Sequence, residues 1–95
     1  MPDGATNQHL YRDLVIVNEL GLHARSAAKL AKLAQQAHRQ VWLEKGEERV
    51  DAKQVIDILT LAAAKGDQVR ISVENSQDHT VLDQIVSLIE DGFGE

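Results

Sequence analysis

His23 and Arg25 stand two residues apart in "NELGLHARSAAKLAKLAQQ", residues 18–36, where a strand-like apolar run gives way to an alanine-rich one. The first backbone N–H groups of a helix lack intrahelical partners, and the aligned peptide dipoles add partial positive charge there. Such an end binds phosphate readily. A neutral imidazole is a nucleophile. If His23 attacked a phosphoryl group, the new anion would sit among free N–H groups, with Arg25 available to pair with it. The chemistry this pattern suits is reversible phosphorylation of histidine. A histidine before a helix can also simply cap it or face solvent. His-x-Arg is short and common, and spacing alone favours that plainer role.

The other residues that could carry chemistry point elsewhere or nowhere. His9 lies near the N-terminus, His38 follows one expected helix and His79 opens another. No pair of them has the i, i+4 spacing of a metal motif, and the chain has no cysteine, so no metal site or disulfide framework is expected. Nor is there a glycine-rich nucleotide loop, and no other cofactor is indicated. Trp42 and Phe93 read as packing residues.

The elements that must position His23 follow from hydrophobic periodicity. "YRDLVIV", residues 11–17, is rich in β-branched side chains and reads as a buried strand. Gly21 lies in the connector to a helix over 24–37, where Ala27, Leu30, Ala31, Ala34 and Ala37 make one apolar stripe. "QVWLE" and "ERVDA" flank a turn at Gly46. A second helix is expected over 53–64, with Asp51 and Gln54 as a capping box and Lys65 and Gly66 at its end. In "QVRISVE", Val69, Ile71 and Val73 alternate with Gln68, Arg70, Ser72 and Glu74, the pattern of a strand with one wet face. A third helix is expected over 79–91, capped by Asp78 and stopped by Gly92. The order β-α-β-β-α-β-α predicts an α+β fold, a two-layer open-faced sandwich. Its four-stranded, mainly antiparallel sheet carries three helices on one face. Residues 1–10 read as a loose tail and 11–95 as one domain.

Net charge is −5 in 95 residues, which argues against nucleic acid as the main partner. No run of 18 or more apolar residues is present, so no membrane insertion is expected. The N-terminus lacks a signal-peptide pattern, which makes cytoplasmic the default location. Charge is unevenly spread: residues 20–43 contain no Asp or Glu and carry +4, leaving −9 on the remainder. Arg25, Lys29, Lys32, Gln36 and Arg39 recur every three or four residues along one helix face. Such a stripe is often only a solvated face. On so acidic a chain it would also steer His23 toward acidic partner surfaces.

"GLHARSAAKLAKLA" resembles the active-site segment of HPr, the histidine-containing phosphocarrier family of the bacterial phosphotransferase system. "VDAKQVIDILTLAAAKGDQVRISVE" continues the likeness into the family's second helix and last strand. The resemblance implies that His23 accepts phosphate at Nδ1 from enzyme I, itself charged by phosphoenolpyruvate, and passes it to an enzyme II A domain. Arg25 would be the phosphate-stabilising residue, with Ala24 and Ser26 beside it at the helix mouth. Such a protein is a carrier, without turnover of its own. Val55, Ile56 and Leu59 on the second helix would contribute to partner docking, with Lys29 and Lys32 from the basic stripe. The chain would act as a monomer. "VWLEKGEERV" and "LIEDGFGE" look most like a nitrogen-related branch, in which the phosphorylation state would be a signal and not a step in sugar uptake. Two departures stand out. Ser26 replaces the proline that many members have after the arginine. Gln54 occupies the place of the regulatory serine some members carry, so kinase control there is not expected.

Overall fold

The computed structural model describes residues 9–95. Its elements are β1 (Leu10–Val15), α1 (Ala24–Ala34), β2 (Val41–Lys45), β3 (Glu48–Asp51), α2 (Val55–Thr60), β4 (Gln68–Val73) and α3 (His79–Glu90). The expected loose tail falls mostly on residues 1–8, outside the described residues, and Leu10 already belongs to β1. The strands form one antiparallel sheet in the order β1-β4-β2-β3. Three helices cover one side, giving the expected open-faced sandwich.

Register follows from alternation. Leu14, Val41, Leu43, Val69, Ile71 and Val73 face the helices and are buried, because β-strand side chains alternate between faces. Against them pack Ala27, Leu30, Ala31 and Ala34 of α1, each at most 1% exposed. Three small side chains among those four let α1 lie close to the sheet, and Leu30 fills the space they leave. Truncating Leu30 to alanine would cost about 2–5 kcal/mol. On α3, Val81, Leu82, Ile85, Val86 and Ile89 complete the core.

Several local expectations are corrected. The helix from Ala24 ends at Ala34, since residues 35–37 leave the α-helical ladder with Gln36 N–H bonding Leu33 O and Ala37 N–H bonding Ala34 O. In the second helix the shortening matters more. It runs only over Val55–Thr60, with Gln54 as an N-cap that makes no side-chain cap bond. Asp51 caps nothing there and instead accepts from Lys53 N–H at 2.9 Å. Beyond Leu61 the chain leaves the helix at Ala62, whose φ is +50°. That turn delivers Ala63 O to Leu22 N–H at 2.9 Å. Gly66 lies in the turn before β4, and Lys65 pairs with Glu19 instead of capping a helix. Asp78 precedes α3 without capping it. Its buried carboxylate accepts from His38 N–H (3.0 Å) and Arg39 N–H (2.9 Å), tying down the chain between α1 and β2.

On the uncovered side of the sheet, Ser72 is fully buried, contrary to the expectation of a wet position. It pairs in register with Tyr11 on one side and Trp42 on the other, and these large neighbours close over it. Trp42 therefore lies on the outer face, half-buried, with the Arg49 guanidinium 4.0 Å from its ring centre. Phe93 is a core residue, as expected of a packing side chain.

Candidate functional site

The site begins with Gly21. Its φ of +64° is a backbone state that L side chains rarely adopt. A Cβ there would stand 2.5 Å from Ala63 O and 2.9 Å from Ala64 Cα. Only glycine lets the loop after β1 run against residues 63–64, and the Leu22–Ala63 hydrogen bond then fixes where the loop ends. The early exit of the chain from α2 thus sets the position of the next residue, His23.

His23 is the N-cap of α1, with extended backbone (φ −116°, ψ −176°). Its Nδ1 accepts from Arg25 N–H at 3.3 Å, long for such a bond. The His23 N–H donates to Ser26 Oγ at 2.9 Å, a reciprocal arrangement of the capping-box kind. Ser26 Oγ is also 3.0 Å from Gly21 O. Ser26 is therefore a buried brace between the loop and the helix. Ala24, Arg25 and Ser26 occupy the first turn, whose N–H groups have no intrahelical partner. Arg25 is exposed, and its guanidinium forms no hydrogen bond or ion pair among the described residues. It can swing over the helix mouth.

The other ring nitrogen is also engaged. Nε2 lies 2.6 Å from Glu95 Oε2, with the two side chains 30% and 17% exposed. Glu95 Oε1 accepts from Asn18 Nδ2 at 3.0 Å, and the same buried amide donates to Gly21 O at 2.9 Å. Lys29, on α1, donates to Phe93 O at 2.7 Å. Phe93 is buried between two glycines of positive φ and itself has φ +60°. Together these hold the 92–95 turn against the site. The carboxyl of Glu95 is held below its ordinary value of 4.5, first by the Asn18 hydrogen bond and next by the His23 hydrogen bond. Glu95 and Asn18 were not foreseen from the sequence. They lie 77 residues apart, and the only local hint was a phenylalanine flanked by glycines.

The expected docking residues separate by exposure. Ile56 is 72% exposed, whereas Val55 and Leu59 are half-buried and pack against the core. Leu20, unforeseen, is 70% exposed three residues before His23. Large apolar side chains this bare on a small domain mark a surface available for contact. Lys32 is exposed, while Lys29 is tied to Phe93. Gln54, at the mouth of α2, offers no hydroxyl. Among the described residues no cluster of His, Asp or Glu could hold a metal ion, and no helix is long and apolar enough to cross a membrane.

Known proteins resemble this chain in sequence and in fold. The family model described as the PTS HPr component phosphorylation site matches residues 10–91. A phosphocarrier protein HPr of Cupriavidus necator is 38% identical over 90% of this chain and 97% of its own. A phosphocarrier protein NPr of Shewanella violacea is 34% identical over 90% of this chain and 94% of its own. Among solved structures, an HPr of Thermoanaerobacter tengcongensis superposes with a TM-score of 0.85 at 35% identity, covering 90% of this chain and 97% of that one. From its matched segments and its fold alike, the chain belongs to the HPr family, the phosphocarriers of the phosphotransferase system.

Proposed function

We propose that this chain carries a phosphoryl group on Nδ1 of His23, taken from phospho-enzyme I and passed to an enzyme II A domain. One observation carries the reading: Nδ1 faces the first-turn N–H groups of α1 while Nε2 is occupied by Glu95. Attack needs the Nδ1 lone pair, and the 3.3 Å bond from Arg25 N–H is weak enough to yield it. As the Nδ1–P bond forms, the bond from phosphorus to the donor breaks and its electron pair returns to the donor. The phosphoryl oxygens then meet the N–H groups of Ala24, Arg25 and Ser26, and the Arg25 guanidinium closes over them. Transfer onward is the same step reversed on a new acceptor. Ile56 and Leu20 provide apolar contact for both partners, with Val55 and Leu59 beneath. Lys32 and Arg25 offer cationic steering, and Lys29 contributes through its hold on the 92–95 turn.

Reconstitution tests the reading. Phosphoenolpyruvate and enzyme I load the chain, and an enzyme II A domain added afterwards discharges it. A loaded chain that no enzyme II A protein discharges contradicts the carrier role. The likeness to an NPr supports a second reading, in which the loaded state is itself a signal. Preferential discharge to a nitrogen-type over a sugar-type acceptor distinguishes the two.

A further inference from the structure

We infer that Glu95 is a positioning residue for His23: it holds the ring proton on Nε2, leaving Nδ1 to react, and stabilises the positive charge of the phosphorylated ring. The transfer half of this inference rests on the reading of His23 as the carrier residue; the contact half does not.

Three observations converge. The 2.6 Å separation of Glu95 Oε2 from Nε2 is that of a strong hydrogen bond. An ionised carboxylate can only accept, so the shared proton belongs to Nε2. Nδ1 accepts from Arg25 N–H, so it too requires the proton to be on the other nitrogen. The carboxylate is itself aimed. Asn18 is buried, and both acceptors at its amide nitrogen, Gly21 O and Glu95 Oε1, fix which way the amide points. Lys29 holds Phe93 O at 2.7 Å, which fixes the turn that brings Glu95 in. A surface carboxylate meeting a histidine by chance would not be held from two independent elements, the loop after β1 and the helix α1.

The consequence follows from charge. When Nδ1 gains the phosphoryl group and Nε2 keeps its proton, the ring carries one positive charge. Glu95 faces that charge from the side away from the phosphate. It lowers the free energy of the loaded carrier relative to the donor, and so sets how readily His23 gives its phosphate up. Fixing a reactive imidazole in one orientation by a hydrogen bond at its far nitrogen is a general device.

The test compares wild type with Glu95→Gln and Glu95→Ala by two readouts. The first is the imidazole proton of His23 in nitrogen-15 correlated spectra of the unphosphorylated chain. A slowly exchanging proton on Nε2 is expected in wild type and should be lost in both variants. The second is the equilibrium of phosphoryl exchange with phospho-enzyme I. Both variants should shift it toward phospho-enzyme I by about three- to tenfold, the range for a charged hydrogen bond at a partly exposed site. The backbone amide spectrum reports whether each variant keeps its fold. A wild type without the Nε2 proton, or variants that leave the exchange equilibrium unmoved, overturns the inference. Failure of wild type to take phosphate at all would instead overturn the carrier reading and the transfer half with it, while the ring proton still decides the contact.

Discussion

Two helices of this molecule open on a histidine, and they use it differently. At α1, His23 is the N-cap itself, with one nitrogen on the helix mouth and the other on Glu95. At α3, His79 is the first helical residue, exposed, and the polar group before it is the buried carboxylate of Asp78. That carboxylate serves the chain between α1 and β2, not the helix it precedes. The two starts also differ in their N–H groups, since a 3-10 turn over Ser76–Asp78 runs straight into α3 and His79 N–H already bonds Ser76 O. Among the described residues, only at α1 are both ring nitrogens hydrogen-bonded, with a cation, Arg25, that makes no ion pair beside them. Chemistry at a helix mouth thus depends on what fixes the ring, and stability depends on where the carboxylate is spent.

The sharpest way to break the comparison is to exchange the losses. His23→Ala should abolish phosphate uptake from enzyme I while costing about 0.5–2 kcal/mol of stability, the range for a lost cap. His79→Ala should leave uptake unchanged. Denaturant melts beside uptake assays check both, and residual uptake in His23→Ala would erase the distinction.

Next in size are two substitutions that act on the scaffold. Asp78→Ala removes a buried acceptor of two backbone N–H bonds and should cost about 2–4 kcal/mol, with folded protein still taking phosphate at the normal rate. Gly21→Ala meets both the positive φ and the 2.5 Å approach of Ala63 O. Its cost should be about 2–4 kcal/mol, and here uptake should fall as well, because the displaced loop carries His23. Equilibrium unfolding of the two variants, set against uptake, sharpens which mouth is built for work.

Arg25→Ala should slow uptake by about 10- to 100-fold with little change in stability, since its guanidinium makes no hydrogen bond or ion pair among the described residues. Rapid-quench kinetics measure it; an unchanged rate would remove Arg25 from the site.

A smaller effect follows pH. Asn18 first and His23 second depress the Glu95 carboxyl in the folded chain. A carboxyl whose folded value lies below its unfolded one contributes stability that is present above the unfolded value. That stability is lost as pH falls through the folded value. Carbon-13 titration should place the Glu95 midpoint below 4.5, and Asn18→Ala should move it up. The smallest effect is ionic strength. The exposed cations of α1 should make the uptake rate fall a few-fold between low and physiological salt. A flat profile would mean that the stripe is only a solvated face.

How much of this the sequence disclosed depends on range. The presence of the strands, the three helices and the cap at His23 was legible because alternation, helical periodicity and cap chemistry are local. The burial of the first strand was misread, since β1 is an edge strand, with Tyr11, Val15 and, just beyond it, Val17 about half exposed. The premature end of α2 was not. "LAAAK" has strong helix formers throughout, yet the chain leaves the helix at Ala62 and Ala63 O accepts from Leu22 N–H, a partner from another part of the chain. Ser72 looked wet because alternation alone cannot see Tyr11 and Trp42 in the neighbouring strands. Asp78 had the right type and place for a cap, yet tertiary partners claimed it. At the site, the helix mouth was legible and its far side was not. Glu95 meets His23 across 72 residues, and nothing in either neighbourhood encodes that contact.

The central claim is that phosphorus bonds to Nδ1 of His23. Nitrogen-15 histidine spectra, taken before and after loading with phosphoenolpyruvate and enzyme I, test it most directly. The account predicts that one ring changes, His23, with phosphorus coupling at Nδ1 and the proton retained at Nε2. Coupling at Nε2, at another histidine, or at none would contradict it.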